Sequence, residues 1–289
     1  MNIDIAAQTV FSVGGFAVTN SLLLSVLALL FTSGFMIYVG HKITVQRQRV
    51  YGDDTDVYNQ EIFHEKVVQA RGGFFTRLTL WTIEALYRTV RTVIPNHKIA
   101  KHVAPFTISI FFFVIFNYYF GLLPFVGEAI TLHHVPLFRG GASDLSFTFM
   151  LAILTIVMVQ VYAVRALGWR TNLHRYFVNP LRDPIGAFGG LLELIGEFSR
   201  MLALSFRLFG NCFAGEVLLL VVQALTHFVS PAVLPLFYFF ELFIGGIQAY
   251  VFFMLATAFI SIAVGSAVPK KTPDFADSTK DDKMVESKA

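Results

Sequence analysis

Long apolar runs separated by short polar segments dominate the chain. Each run holds few charges and is at least about as long as a helix that crosses a bilayer, which needs about 20 residues. Five runs fit this description, at positions 21–40, 103–125, 145–163, 185–228 and 234–268. Ser230, Pro231 and Pro235 mark the turn between the last two. The pattern predicts an all-α polytopic membrane protein with about five membrane helices, of which the last two form a hairpin.

The last two runs are too long for helices that stand upright in a membrane. The first would form about 60 Å of helix at about 1.5 Å per residue, whereas the hydrocarbon core is about 30 Å thick. No proline interrupts positions 185–230, so the sequence offers no proline break in the first arm. We therefore expect both helices to be strongly tilted and to lie close to the membrane plane.

A different pattern lies between the first two runs. Positions 76–94 place charges on one helical face and apolar residues on the other, at about 100° per residue. The charged face carries Arg77, Glu84, Arg88 and Arg91. This pattern predicts an amphipathic helix in the membrane interface, which Pro95 ends. The mixed-charge segment before it, positions 41–73, is predicted to be an insert outside the membrane.

Lysine and arginine are unevenly distributed among the polar segments. Positions 42–101 and the loop that begins near Arg165 are rich in them, whereas the loop after Pro124 holds only Arg139. Because basic loops tend to stay in the cytoplasm, we expect the N-terminal segment outside and the C-terminal tail inside. The tail, positions 269–289, is polar and is expected to be disordered.

Composition supports a membrane protein and excludes several kinds of site. The chain is 55% hydrophobic and 14% charged, with a mean hydropathy of +0.64, whereas soluble domains are about 25% charged. A single cysteine, Cys212, excludes an intrachain disulfide and any cysteine-based metal cluster. The sequence has no phosphate-binding loop of the G-x-x-x-x-G-K-[ST] type. Its N-terminus lacks the basic region of a cleaved signal peptide.

The first arm of the hairpin carries polar residues inside its apolar run. Arg207, Asn211 and Glu216 lie within Met201–Leu220. A fixed positive charge in such a segment costs about 2.5 to 3.5 kcal/mol on insertion scales and usually marks an ion path or a charged partner. Glu216 lies about 180° around the helix and about 13.5 Å along it from Arg207, so the two cannot pair as neighbours within one helix.

Arg207 shares one stripe of the helix with other polar residues. At about 100° per residue, four of them lie within about 80° of Arg207. They are Glu193, Glu197, Arg200 and Asn211. These charges could also simply pair with one another on a wet face.

The second arm carries its own polar pair, Glu241 and Gln248, seven residues apart on one face. Two glycines between them permit a close helix contact, as small residues do in membranes. We hypothesise that Glu216 faces this pair across the hairpin, in a pocket separate from the Arg207 stripe. Two wet regions divided by one cation would permit ion transfer in two steps.

The segment RLFGNCFAGE, Arg207–Glu216, is similar to the signature R-L-F-G-N-x-x-A-G-E of subunit a of the rotary F-type ATP synthase. Glu241 with Gln248 resembles the paired polar positions on the last helix of that family. Asn117 with the following GLLP, and the segment ASDLSFT at positions 142–148, resemble the ends of its middle spans. The resemblance covers positions 103–265 and rests mainly on the ten-residue signature.

The resemblance implies a stator subunit with two offset aqueous half-channels, in the membrane Fo sector of an ATP synthase. Arg207, whose charge is permanent, would face the carboxylates of the rotor-ring c subunits, make them release protons and keep the half-channels apart. The outer half-channel would be lined by Asn211, Glu216, Glu241, Gln248 and Asp144. The inner one would be lined or shaped by Glu193, Glu197, Arg200 and Ser205.

The resemblance also implies the surroundings of the chain. Expected partners are the rotor ring, b-type peripheral-stalk subunits and the lipid bilayer, with no nucleic acid, no cofactor and no metal. The expected location is the cytoplasmic (inner) membrane of a bacterium. ATP chemistry would occur on other subunits, so whether the chain counts as an enzyme stays open. The resulting division is 1–20 outside, 21–40 first membrane helix, 41–102 cytoplasmic insert and interfacial helix, 103–268 ion-translocating domain and 269–289 cytoplasmic tail.

Several alternatives remain open at the level of sequence. Many relatives carry histidine at the position of Glu241, so here two carboxylates could share a pocket with a proton, a cation or a water between them. Asp144 could be a helix cap rather than a channel-mouth residue.

Other readings of the whole chain are an ion-coupled secondary transporter, a haem protein and a structural assembly subunit. No internal repeat supports the first, and no histidine lies centrally in a span to support the second. The sequence does not decide between H⁺ and Na⁺.

Overall fold

A computed structural model describes residues 9–13, 16–51, 74–94, 96–123, 131–132, 135–136, 140–176, 184–226 and 229–265. Most of the predicted insert and all of the predicted tail lie outside these residues. Seven α-helices form within the described residues. They are α1 (Asn20–Tyr51), α2 (Phe74–Val93), α3 (His97–Leu122), α4 (Leu145–Leu167), α5 (Trp169–Tyr176), α6 (Pro184–Thr226) and α7 (Ser230–Gly265).

Two short antiparallel hairpins, which the sequence pattern did not indicate, accompany the helices. β1 (Thr9–Val13) pairs with β2 (Phe16–Thr19) directly before α1, and β3 (Thr131–Leu132) pairs with β4 (Val135–Pro136) between α3 and α4. A 3₁₀ turn at Gly141–Ser143 then leads into α4.

The predicted fold class is confirmed. Among the described residues, five helical segments are long and apolar enough to span a membrane: Asn20–Ile43 of α1, Ile99–Leu122 of α3, and the whole of α4, α6 and α7. The two hairpin arms contain 43 and 36 residues. They therefore measure about 65 Å and about 54 Å at 1.5 Å per residue. Each arm is one unbroken α-helix, so the first arm keeps its full length.

Element boundaries differ from the predicted ones in several places. α3 begins at His97, six residues before the predicted start of the second span. α1 runs on to Tyr51, into the predicted insert. The basic loop after the third span contains a helix, α5, which follows Gly168 at a φ of 85°. Pro235 lies inside α7 rather than in the turn. Near the start of a helix, proline removes at most one backbone hydrogen bond, so the chain can continue as α-helix through it.

The core lies between α3 and the helices around it. α3 packs against α1, α2 and α7, while α4 packs against both arms of the hairpin, which also pack against each other. Rings of α1 and α3 interlock: Phe31 meets Phe116 edge-on at 5.0 Å between centroids, and Phe35 meets Phe112 at 5.1 Å. These contacts hold α3 in place behind the hairpin, where its polar residues reach α7.

The amphipathic helix α2 uses its apolar side to join this core. Ile83, Leu86 and Val90 are buried there, and the hydroxyl of Ser261 on α7 donates to the carbonyl of Val93 at 2.8 Å. On the charged face, Arg88 lies 2.5 Å from Glu84. Glu84 is only 6% exposed, so the predicted charged face is exposed at Arg77 and Arg88 but buried at Glu84, and the opposite face packs against protein.

Candidate functional site

Arg207 lies near the middle of α6 and is exposed on the surface of the isolated chain. Within the described residues its guanidinium makes no hydrogen bond and no ion pair. An unpaired charge on a membrane helix is costly. The described part of the chain therefore offers this guanidinium no anionic partner.

Small residues surround Arg207 on the same exposed side of α6. Ser199, Ala203, Gly210 and Ala214 recur every three or four residues along this side, which is the spacing of one helical face. Small side chains let another helix approach closely in a membrane. The side of α6 that carries Arg207, which we call the Arg207 flank, therefore leaves room beside the guanidinium.

Toward the α6–α7 turn, polar side chains of α3, α6 and α7 form a group that we call the turn-side cluster. Its members are Tyr118, Asn211, Glu216, Glu241 and Gln248. Asn211 Nδ2 donates to Gln248 Oε1 at 2.6 Å. Gln248 is 3% exposed, and its Nε2 has no partner among the described residues. The amide pair therefore ties the two arms together and leaves one buried donor free.

Glu241 is the most deeply buried carboxylate of the cluster, with 2% of its surface exposed. The hydroxyl of Tyr118, itself 1% exposed, donates a hydrogen bond to Glu241 Oε1. On α6, a Cβ at Gly215 would lie 1.8 Å from the same oxygen. Only glycine at position 215 leaves room for this carboxylate between the arms.

Glu216 is half-buried beside the segment that precedes α4. A Cβ at Gly140 would come within 2.7 Å of Glu216 Oε1, so this carboxylate lies beside the start of the 3₁₀ turn. Gln248 instead bonds to Asn211. The structure thus places Glu216 and Gln248 in one cluster but without the direct hydrogen bond between them that a facing pair would make.

Asp144 and Asn117 lie beside the same 3₁₀ turn as Glu216. Asp144 caps α4, since Oδ1 accepts from the backbone N–H of Ser146 at 2.9 Å and Oδ2 accepts from the hydroxyl of Ser21 at 2.6 Å. Asn117 is 1% exposed, and both of its amide atoms lack a partner among the described residues. Buried polar atoms of this kind are commonly satisfied by water.

A second group, the far-side cluster, lies toward the N-terminal end of α6. Its members are Gln160 of α4, Asn172 and Tyr176 of α5, and Glu197 of α6. Gln160 Nε2 lies 2.6 Å from both oxygens of Glu197, and the hydroxyl of Tyr176 donates to Oε1 at 2.5 Å. Asn172 Nδ2 donates to Gln160 Oε1 at 3.2 Å. Glu197 is therefore the acceptor on which this network ends.

The other candidates on this half of α6 have separate contacts. Arg200 donates from Nε to the carbonyl of Gly196 at 3.2 Å, and its guanidinium lies 5.5 Å from the ring centroid of Phe259. Ser205 is fully buried, 3.2 Å from the hydroxyl of Thr148. Glu193 is half-buried one turn before Glu197.

The two clusters lie on opposite sides of Arg207 along α6. Gly215, which contacts Glu241, is eight residues beyond Arg207, and Glu197 is ten residues before it, which correspond to about 12 Å and about 15 Å of helix. Each cluster contains hydrogen-bond donors and acceptors, together with a buried polar atom that has no protein partner among the described residues. A water molecule could hydrogen-bond to such an atom. An ion could therefore be passed from each side to the vicinity of the guanidinium.

Four of these polar residues escape the sequence pattern: Tyr118, Gln160, Asn172 and Tyr176. Gln160 is the only amide side chain in α4, and Asn172 and Tyr176 are four apart, so a helical reading of the basic loop would have put them on one face. Tyr118 gives no such signal within its aromatic run. Among the described residues, no group of three histidine, cysteine, aspartate or glutamate side chains is arranged to hold a metal ion.

Comparison with known proteins gives consistent results. A family described as "ATP synthase A chain" matches residues 62–261. The chain is 37% identical over 143 residues to ATP synthase subunit a of Nitrosospira multiformis, an alignment that covers 49% of this chain and 53% of that protein. It is 31% identical to subunit a of Enterococcus hirae, over 63% of this chain and 75% of that protein. Subunit a of Legionella pneumophila strain Paris is also 31% identical, over 62% and 68%.

Proposed function

The chain belongs to the ATP synthase A chain family, and from this premise we propose that it is the stator subunit that passes protons to and from the rotor ring. Members of this family are integral membrane proteins of ATP synthesis and proton transport. The ion-translocating part is positions 103–268. The family match begins at residue 62, so the second part of the insert belongs to the family as well.

The observation that carries the proposal is the exposed and unpaired guanidinium of Arg207. Its helix flank is lined by small residues, and it has no anion within the described part of its own chain. A carboxylate on each subunit of a rotor ring is a partner of the required charge. Arg207 keeps its charge at any physiological pH, so an approaching carboxyl group is stabilised as a carboxylate and gives up its proton.

The two clusters supply the routes by which protons reach and leave the ring. The turn-side cluster, with Asn211, Glu216, Glu241 and Gln248, forms the outer half-channel with Asp144 near its mouth. Glu193, Glu197, Arg200 and Ser205 form the inner half-channel. Arg207 lies between the two half-channels and repels a proton. A proton therefore crosses the membrane only while it is bound to a carboxyl group of the rotor ring. Each proton that moves down about 100 mV releases about 2.3 kcal/mol, which drives rotation.

The chain contacts the c subunits through the Arg207 flank and b-type peripheral-stalk subunits elsewhere. It lies in a bacterial cytoplasmic membrane, with the N-terminus outside and the C-terminal tail inside. The basic segments around α2 and α5 support this orientation.

Substitution of Arg207 tests the function directly. In the whole complex reconstituted into vesicles, Arg207→Ala and Arg207→Lys should abolish ATP-driven proton pumping and ATP synthesis while the complex still assembles. Lysine fails because its compact ammonium on a flexible stem cannot present the same planar, two-pronged charge. Pumping is read from quenching of a pH-sensitive dye, and assembly from co-purification of all subunits.

Arg165→Ala is the matched control, because Arg165 is an exposed cation at the end of α4 and lies outside both clusters. It should pump at the rate of the unaltered complex. Coupled pumping that persists in Arg207→Ala would refute the function proposed for this chain.

A further inference from the structure

The far-side cluster contains three residues, Gln160, Asn172 and Tyr176, that the family resemblance does not assign to the ion path. α5 brings two of them to α6. Gly168 adopts a φ of 85°, a left-handed conformation that favours glycine, and this turn joins α4 to α5. Asn172 and Tyr176, one helical turn apart on α5, then meet Gln160 of α4 and Glu197 of α6.

The hydrogen bonds of the cluster have only one consistent direction. A carboxylate only accepts, so Gln160 must present its NH₂ group to Glu197, and its carbonyl oxygen must face away. Asn172 must then present its own NH₂ group to that oxygen, as the structure shows. The hydroxyl of Tyr176 accepts from Gln160 Nε2 at 2.9 Å and donates to Glu197. Every donor therefore leads toward the same carboxylate.

This direction leaves one acceptor open. Asn172 is only 7% exposed, and its Oδ1 has no partner among the described residues. The oxygen belongs to the amide that bonds to Gln160, so it lies beside the network. A buried carbonyl oxygen without a protein donor is a site for an ordered water molecule.

We propose that Glu197 is the proton-exchange carboxylate of its half-channel and that Gln160, Asn172 and Tyr176 are its positioning residues, with a water or hydronium ion bound at Asn172 Oδ1. The inference rests on the proposed function and names the group that works at this end of the path. On arrival, hydronium releases one proton, which passes through water to a Glu197 oxygen, and remains as water. On departure, the carboxyl group returns the proton to water, and the hydrogen bonds from Gln160 and Tyr176 hold the carboxylate in place.

The test uses the assembled complex in vesicles and measures ATP-driven proton pumping. Tyr176→Phe, Gln160→Leu and Asn172→Leu should each lower the pumping rate about tenfold, as expected for loss of a hydrogen bond to a charged group or its support. Tyr162→Phe is the matched control. It removes a hydroxyl from α4 that donates only to the backbone carbonyl of His102, at 3.2 Å, and it should leave the rate unchanged.

A combined variant separates positioning from a merely structural role. Glu197→Gln should lower pumping at least as much as Tyr176→Phe does, and adding Tyr176→Phe to Glu197→Gln should cause no further loss, since the tyrosine acts through that carboxylate. A further tenfold loss in the combined variant would overturn the proposal, and so would normal pumping in Glu197→Gln. If Arg207→Ala abolishes pumping while these variants pump normally, the stator function stands and only this inference fails.

Discussion

Tyr118 and Tyr119 are neighbours in the sequence, yet their hydroxyl groups have opposite surroundings. Tyr118 is 1% exposed and donates to the buried carboxylate of Glu241. Tyr119 is half-buried and donates to the backbone carbonyl of Leu242 at 3.1 Å. A buried carboxylate that loses its donor bears a desolvation cost of about 1 to 3 kcal/mol or more, whereas a backbone carbonyl in a helix keeps its other partner.

Tyr118→Phe should therefore impair the complex, and Tyr119→Phe should not. We expect Tyr118→Phe to destabilise the membrane sector by about 1 to 3 kcal/mol and to slow ATP synthesis, because Glu241 is released from its position against Gly215. The melting temperature of the purified complex and the rate of ATP synthesis in vesicles measure the two effects. Equal values for both tyrosine variants would show that the bond to Glu241 has no role.

The sequence identified charged site residues more readily than their hydrogen-bond donors. Arg207, Glu216 and Glu241 stand out because a charge in an apolar run is expensive and therefore noticeable. Tyr118 does not stand out, because an aromatic ring fits an apolar run whether or not its hydroxyl is bonded. Which carboxylate the hydroxyl meets depends on how α3 packs against α7, and that is a property of the folded chain.

At the scale of elements, α3 and α7 approach each other closely where glycine faces a ring. A Cβ at Gly245 would come within 2.5 Å of the ring of Tyr118, whereas a Cβ at Gly246 would meet only the hydroxyl of Tyr119, at 3.3 Å. The two glycines are adjacent residues in the interior of the same helix, so replacing either with alanine raises the helix propensity equally, by about 1 kcal/mol. Any difference between them therefore reports on the packing of α7 against α3.

Gly245→Ala should destabilise the assembly, and Gly246→Ala should be neutral or slightly stabilising. Overpacking of a tight contact costs about 1 to 3 kcal/mol, which outweighs the gain in helix propensity at Gly245. Thermal unfolding of the detergent-solubilised complex gives the comparison. A melting temperature for Gly245→Ala at or above that of Gly246→Ala would mean that α3 does not pack against α7 at this point.

Helix α5 shows why element prediction failed in one place and succeeded elsewhere. The long spans were recognisable because their apolar runs exceed what a soluble helix needs. The segment around α5 is short, basic and close to Pro180 and Pro184, which is typical of a loop. Its helix is stabilised by tertiary contacts, since Asn172 and Tyr176 bond to side chains of α4 and α6. Local sequence does not encode those contacts.

At the scale of the whole molecule, the hairpin and the bilayer have incompatible lengths unless the hairpin tilts. α6 is about 65 Å long at 1.5 Å per residue, and it is apolar to both ends: Ile185 is 84% exposed and Leu225 is 80% exposed. An upright helix would place roughly half of its apolar surface outside a core of about 30 Å. No such mismatch affects α4, whose 23 residues form about 35 Å of helix.

We therefore expect α6 to lie about 60° from the membrane normal in the assembled complex, the tilt at which its apolar length fits the hydrocarbon core. α4 serves as the internal control and should fall within the usual range of about 0 to 40°. Electron cryo-microscopy of the complex in lipid nanodiscs would show both helix axes against the density of the lipid disc. At this tilt, the separation of the two clusters along α6 corresponds to a difference in membrane depth of about 13 Å, with Arg207 between them. If α6 stood within 30° of the normal, its apolar ends would extend into water, and the placement of the two half-channels would have to be abandoned.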